Sequence, residues 1–178
     1  MNDVTNLSEM MKARLSDESQ EILTISVRAA AGMDANLYLV GGIVRDLLLG
    51  RKSYDLDLVV EGDAIALAAR FADITGGKIT VHSRFRTATV KWRGRSIDFV
   101  TARSETYPKP GALPVVKPGK LNTDLARRDF TINAMAVILS PEQYGNIIDP
   151  FNGQVDLTKK RIRILHDRSF IDDATRIW

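Results

Sequence analysis

Tyr54-Asp55-Leu56-Asp57-Leu58-Val59-Val60 is the stretch on which the reading of this chain turns. Side chains on a β-strand alternate between faces, so a strand over 54–60 puts Asp55 and Asp57 on one side and Leu56, Leu58 and Val60 on the other. At a rise of about 3.3 Å per residue the two aspartates would stand about 6.6 Å apart. Carboxylates that close repel unless water or a cation lies between them. An oxygen-only pair suits Mg²⁺, which binds one or two carboxylates and completes its shell with waters and substrate phosphates. The same pattern also arises on any strand whose wet face happens to carry two acids, so the pair alone leaves both readings open.

The flanking sequence adds to it. Upstream, Leu39-Val40-Gly41-Gly42-Ile43-Val44-Arg45-Asp46 runs from a short apolar strand through a double glycine into a helix. Glycines at such a junction let a phosphate approach the backbone, and the first N–H groups of a helix attract anions. Arg45 can add a forked donor, or can simply pair with a neighbouring acid such as Asp46. The spacing is not the G-x-G-x-x-G of a dinucleotide fold, and there is no G-x-x-x-x-G-K-[ST] loop. Downstream, in Arg95-Ser96-Ile97-Asp98-Phe99-Val100, Ile97 and Phe99 face one way and Asp98 the other. Asp98 is thus either a third member of a carboxylate cluster or an exposed residue. Further on, Asp124-Leu125-Ala126-Arg127-Arg128-Asp129-Phe130-Thr131-Ile132-Asn133 carries paired arginines followed by Asp, Thr and Asn, read here as one polar helix face. That face could serve phosphate and ribose, or be salt-bridged to itself.

Around these motifs, turn and cap residues divide the chain. Ser16 caps a helix to about Ala31, and Asp63 caps another to Ile74, stopped by Gly76-Gly77. Leu37–Val40, Ile79–His82, Thr87–Trp92 and Arg95–Val100 read as strands, with Arg93-Gly94 a hairpin turn. The proline- and glycine-rich 104–122 reads as a loop, 125–138 as a helix, and 146–148 and 161–166 as two strands joined by Asp149-Pro150-Phe151-Asn152-Gly153. Residues 1–14, polar and mixed in charge, read as a flexible leader. The sum is α+β: a small mixed sheet with helices packed on one face.

Composition narrows the class. At 178 residues, 44% hydrophobic and 26% charged, the chain suits one folded domain. It has no cysteine, which excludes disulfides and thiolate metal sites and points to an intracellular, cytoplasmic protein. No apolar run approaches the ~20 residues of a membrane span. The net charge of +3 is compatible with an anionic partner. Basic residues cluster at Arg84, Arg86, Lys91, Arg93 and Arg95 and again at Lys159–Arg163, unaccompanied by any familiar RNA-binding signature.

Taken in order, L-V-G-G-x-V-R-D, D-L-D-L, R-R-D-F-T-I-N-A-M-A, D-P-F-N-G and R-I-L-H-D-R-S-F-I-D-D-A-T-R-I resemble the bacterial-type (class II) tRNA nucleotidyltransferases and their poly(A) polymerase relatives, from about Leu37 to Ile177. The resemblance implies a nucleotidyltransferase palm of the DNA polymerase beta kind over 15–178, working with two Mg²⁺ ions and with ATP or CTP on the 3′ end of RNA, above all the tRNA acceptor end. Asp55 and Asp57 would hold the metal, with Asp98 a further catalytic carboxylate. Gly41, Gly42, Arg45, Asp46, Arg128, Asp129, Asn133 and Arg176 would contact the nucleotide. The segment through Gly111-Ala112-Leu113-Pro114 is most similar to members that add only A or only CC. Ala174 stands where relatives usually carry Pro, and the templating motif of the family's neck is expected beyond Trp178. Two alternatives remain: a poly(A) polymerase head acting on other RNAs, and a nucleotide-binding module that is silent by itself.

Overall fold

The computed structural model describes residues 5–52, 55–109 and 111–177. In chain order its elements are α1 (Ser8–Arg14), α2 (Asp17–Ala30), β1 (Asn36–Val40), α3 (Gly42–Leu48), β2 (Asp57–Glu61), α4 (Ala64–Thr75), β3 (Lys78–His82), β4 (Thr87–Trp92), β5 (Arg95–Thr101), β6 (Arg103–Thr106), β7 (Val115–Pro118), α5 (Leu121–Ala126), β8 (Ala136–Ile138), β9 (Ile147–Ile148), α6 (Gly153–Thr158) and α7 (Ser169–Asp172). Strands form a seven-membered sheet in the order β3-β4-β5-β2-β1-β8-β9, with β6 and β7 making a separate two-stranded ribbon. The β2–β5 pair is parallel and the remaining pairs are antiparallel, so the sheet is mixed as expected.

The two faces of the sheet are covered differently. Leu37, Leu39, Leu58, Val60, Ile97 and Phe99 point into one core, which α1, α2, α3 and α4 cover with Met11, Ile22, Leu47 and Phe71. Phe71 meets Phe99 with ring centroids 5.4 Å apart and Trp92 edge-on at 6.1 Å. The alternate residues Tyr38, Val40, Val59 and Ala136 pack on the other face against Leu121 and Leu125 of α5. Packing α5 there fixes where the residues after it emerge. Its start is held by Glu61 at the end of β2, which accepts hydrogen bonds from the Leu121 amide (2.7 Å) and the Tyr38 hydroxyl (3.0 Å). Burial and the neighbouring Glu61 carboxylate push the Tyr38 hydroxyl far above the ordinary tyrosine pKa.

Local chemistry explains the elements that the sequence announces. The Ser16 hydroxyl accepts from the Ser19 amide, and Asp63 accepts from the Ile65 and Ala66 amides at 3.0 Å each. Arg93 and Gly94 both have positive φ, 47° and 79°, the geometry of a tight hairpin turn.

Five expectations are corrected. Residues 5–14 are not a loose leader: Leu7 and Met11 are buried in the main core, and Thr5 and Asn6 pair beside β9. The stretch 104–122 is not a bare loop, because β-branched Thr106, Val115 and Val116 pair across the β6–β7 ribbon. The expected helix over 125–138 stops at Ala126. Phe130 is extended (φ −129°, ψ 153°) with its amide on the Asp129 side chain, and 136–138 join the sheet beside β1. The strand over 161–166 reduces to one bridge, Phe130 to Ile164. The strand–turn–strand reading of 146–166 also missed α6, whose start is held by Asp149 accepting from the Gly153 and Gln154 amides.

Asp156 on α6 ties this last region together. It is buried and accepts from the Thr131 hydroxyl (2.7 Å) and Arg163 Nε (2.8 Å). These partners, the Thr131 hydroxyl foremost, hold its carboxyl below the usual carboxylate pKa. A depressed folded-state pKa contributes stability that is complete above the unfolded value of about 3.9 and is lost as pH falls through the lower folded value. Asp156→Asn is therefore expected to lower Tm by several degrees at pH 7, with the difference from the parent shrinking as pH falls below the unfolded value of about 3.9, a contrast that thermal melts across pH would check. An equal deficit at both ends would mean that packing, not charge, holds the site. No described helix is long and apolar enough to cross a membrane.

Candidate active site

Asp57 opens β2, and the parallel register sets it beside Asp98 on β5; Leu58 and Phe99, the next pair, are buried on the opposite face. Asp98 in turn lies opposite Thr89 on β4, whose hydroxyl donates to the Asp98 carboxylate. Asp55 does not lie on a strand as expected but just ahead of β2, in the connection from α3, and Tyr54 lies outside the described residues. All three aspartates keep a face to solvent. The body of the protein behind Asp57 partly desolvates its carboxyl and raises its pKa. Arg128 opposes that shift, and the negative charges of Asp55 and Asp98 add to it. The structure thus sets Asp57 beside Asp98 in register and across Gly41 from Arg128, with Asp55 two residues ahead and near enough for its charge to act on Asp57.

Gly41 makes the approach of that arginine possible. Its φ is +79°, and a Cβ placed there would lie 2.8 Å from Arg128 Nη1 and 3.4 Å from Asp57 Oδ2. The glycine expected to admit a phosphate therefore admits first a guanidinium of the same chain. Arg128 Nη2 donates to Asp124 Oδ2 at 3.2 Å. Gly42 has ordinary room above it, filled by Arg45, whose guanidinium folds back over the start of α3.

Arg45 belongs to a second chain of contacts. Its Nε donates to Asp46 (3.0 Å) and its Nη1 to Asn133 Oδ1 (2.7 Å), while Asn133 Nδ2 donates to both oxygens of Asp129 at 3.1 and 3.0 Å. Arg45, Asp46, Asn133 and Asp129 are thus one hydrogen-bonded row. The arginine and acid pair anticipated as the non-functional alternative is present, yet Arg45 spans beyond it to Asn133.

Beside Arg128 and Asp129 opens a cleft of about 760 Å³, walled by Arg103, Glu105 and Tyr107 of the ribbon, by the tip around Gly111–Pro114, and by residues 172–176. Arg176 closes its floor: Nη2 donates to the Arg127 carbonyl (2.7 Å) and Nη1 to the Ser169 hydroxyl (2.8 Å). In this structure Arg176 braces the arginine pair from behind. Arg103, Glu105, Tyr107 and Asp124, all in the cleft region, escaped the sequence reading. Glu105, with a side chain only 5% exposed, receives Arg103, Arg127 and the Tyr107 hydroxyl, and Asp124 receives both Arg127 and Arg128. The available signal was an acid at i−3 and i−4 from an arginine pair. The first basic cluster, by contrast, is partly spent within the fold, since Arg93 pairs with Glu21 at 2.9 Å and Arg95 with Glu18 at 2.8 Å.

Among the described residues no three acids or histidines converge closely enough to make a preformed metal cage. What exists is an incomplete, oxygen-only donor set with an open side. That fits an ion that keeps waters and shares substrate phosphates, and does not fit a structural metal.

Comparison with known proteins bears on the same residues. The family model "Poly A polymerase head domain" matches residues 37–163. The A-adding tRNA nucleotidyltransferase of Halalkalibacterium halodurans is 49% identical over 175 residues, which is 97% of this chain and 40% of the relative. Among solved structures, an apo form of a CCA-adding enzyme superposes with a TM-score of 0.91 at 39% identity, covering 99% of this chain and 42% of that one. The Thermotoga maritima CCA-adding enzyme complexed with tRNA gives 0.85 at 38%, covering 99% and 40%. The chain thus spans about two fifths of the length of these proteins.

Proposed function

This chain belongs to the poly A polymerase head-domain family, and on that premise we propose that it is the nucleotide-activating head of an RNA 3′-end nucleotidyltransferase acting on tRNA. In the proposed reaction the 3′-hydroxyl of the RNA attacks the α-phosphorus of ATP or CTP. A new phosphodiester P–O bond forms, the α–β anhydride bond breaks, pyrophosphate leaves, and the hydroxyl proton is lost. The relative that is half identical over nearly the whole chain is A-adding, which favours AMP transfer over CMP transfer. On this reading the protein works in the cytoplasm.

The observation that carries this reading is the placement of Asp57 beside Asp98 and across Gly41 from the Arg128 guanidinium, with Asp55 two residues ahead. Asp55 and Asp57 would hold Mg²⁺, which when bound neutralises phosphate charge and activates the attacking hydroxyl. Arg128 offers a planar fork to phosphate oxygens on one side of the acids. The row of Arg45, Asp46, Asn133 and Asp129 offers a second guanidinium and, through Asp129, an acceptor for ribose hydroxyls. The cleft beside Arg128 has room for the rest of the nucleotide or the RNA end.

A direct test is to titrate the chain with ATP, CTP, GTP and UTP in Mg²⁺ by calorimetry. Phosphate and ribose contacts are common to all four, so they give affinity without choice; choice needs donors and acceptors on the base edge. Weak binding of every triphosphate is expected, with preferences within roughly tenfold, or about 1.4 kcal/mol. No Mg²⁺-dependent binding by the folded chain would sink the reading. A strong preference for one base would place base recognition in the head itself. The poly(A) alternative, favoured by the name of the matching family model, is separated by offering tRNA and an unstructured RNA to the longer protein.

A further inference from the structure

Arg128 reaches the acidic centre from a segment that has no regular structure of its own, since α5 ends at Ala126 and the next extended residue is Phe130. Something must aim its long side chain. The Nε of Arg128 is buried without a hydrogen-bond partner, and the guanidinium's partner among the described residues is Asp124. Asp124 lies one turn earlier on α5, and its side chain is 0% exposed. Its Oδ1 accepts from Arg127 Nε (3.0 Å), Arg127 Nη2 (2.8 Å) and the Arg103 amide (3.3 Å), leaving Oδ2 for Arg128. A buried carboxylate holding two guanidinium groups has no rotamer to spare, because each oxygen is committed.

We infer that Asp124 is a positioning residue: with Nη2 of Arg128 fixed on its Oδ2, the other arm, Nη1, is directed at the corner between Gly41 and Asp57. The inference rests on the reading of Arg128 as a phosphate contact. It adds the account of why that contact is already aimed before any ligand arrives. Pre-aiming matters because an arginine that must be ordered on binding loses side-chain entropy at that moment. Arg127 extends the same grip to the ribbon. Its Nη1 donates to Glu105, which also holds Arg103 and Tyr107, so the wall of the cleft and the aim of Arg128 share one hydrogen-bonded network.

The test is a double-mutant cycle on this chain, read by calorimetric titration with inorganic tripolyphosphate and with ATP, both in Mg²⁺. Arg128→Ala should weaken both ligands, and Asp124→Asn should weaken both by roughly tenfold, since the amide turns a donor toward a guanidinium. Once Asp124 is Asn, adding Arg128→Ala should cost little more. A folded Asp124→Asn that binds within about twofold of the parent, or losses that multiply independently, would overturn the inference while leaving the phosphate role of Arg128 intact. If Arg128→Ala itself binds normally, the phosphate role and the inference fall together. Should Asp124→Asn not fold, the unmodified chain still decides. The Arg128 Nε–H signal, assigned by its loss in Arg128→Lys, should be sharp and protected from exchange. Exchange as fast as that of exposed arginines would overturn the assignment.

Discussion

Replacing Asp57 by Asn in a protein carrying this head is expected to slow nucleotide addition by on the order of 10³-fold while the head stays folded. The effect is large because Asp57 sits where the charges converge. Asp55 approaches from the connection before β2, Asp98 from the neighbouring strand, and Arg128 from across Gly41. Asn keeps the shape and removes the charge on which Mg²⁺ affinity depends. The fold has little reason to object. Leu58, Val59 and Val60, the residues that anchor β2, are untouched, and losing one of three like charges relieves repulsion as it forfeits attraction to Arg128. Measuring label incorporation into RNA alongside Tm separates the two outcomes. Near-parental turnover would remove Asp57 from the metal site, and a collapsed Tm would make it a structural residue. Asp98→Asn should cost less, because the Thr89 hydroxyl already occupies part of its carboxylate.

The contrast between Asp57 and Asp124 indicates what a single sequence discloses. Alternation fixed the face of Asp57 and of Asp98 without knowledge of their neighbours, since Leu58, Ile97 and Phe99 had only one way to be buried. Caps did the same for α2 and α4 through Ser16 and Asp63, and Arg93-Gly94 gave the hairpin. Failure came where local pattern and tertiary pairing disagree. Leu125, Ile132 and Met135 fall at helical spacing, yet 136–138 gain more by pairing with β1, and the Asp129 side chain captures the Phe130 amide before a helix can continue. Proline hid the β6–β7 ribbon, which as a two-stranded edge tolerates Pro118 at its end. The family motifs named Arg128 and Arg45. That Arg128 is gripped by Asp124, and Arg45 by Asn133, depends on how separate segments meet, which no spacing encodes.

Gly41→Ala is the second large effect expected, and it should strike stability and binding together. The residue holds φ +79° and ψ −137°, a conformation that costs a side-chain-bearing residue about 1–3 kcal/mol. For a domain of this size such a loss lowers Tm by several degrees. Strain alone would leave the site working in the molecules that remain folded. The added methyl, however, would also lie 2.8 Å from Arg128 Nη1, closer than such contacts are found. The neighbour is the far end of a flexible side chain, so it gives way, and the guanidinium leaves its place between Gly41 and Asp57. Affinity for Mg²⁺-triphosphate should therefore fall by roughly tenfold in the folded protein, the loss of one charge-assisted contact. Gly94 supplies the control. It has the same φ, +79°, in the β4–β5 turn, with nothing within 4 Å of an added Cβ. Gly94→Ala should lose stability through its own positive φ and bind triphosphate normally. If both variants bind normally, the closeness of Gly41 to Arg128 has no bearing on function. If Gly94→Ala also loses affinity, binding tracks global stability rather than the aim of one guanidinium.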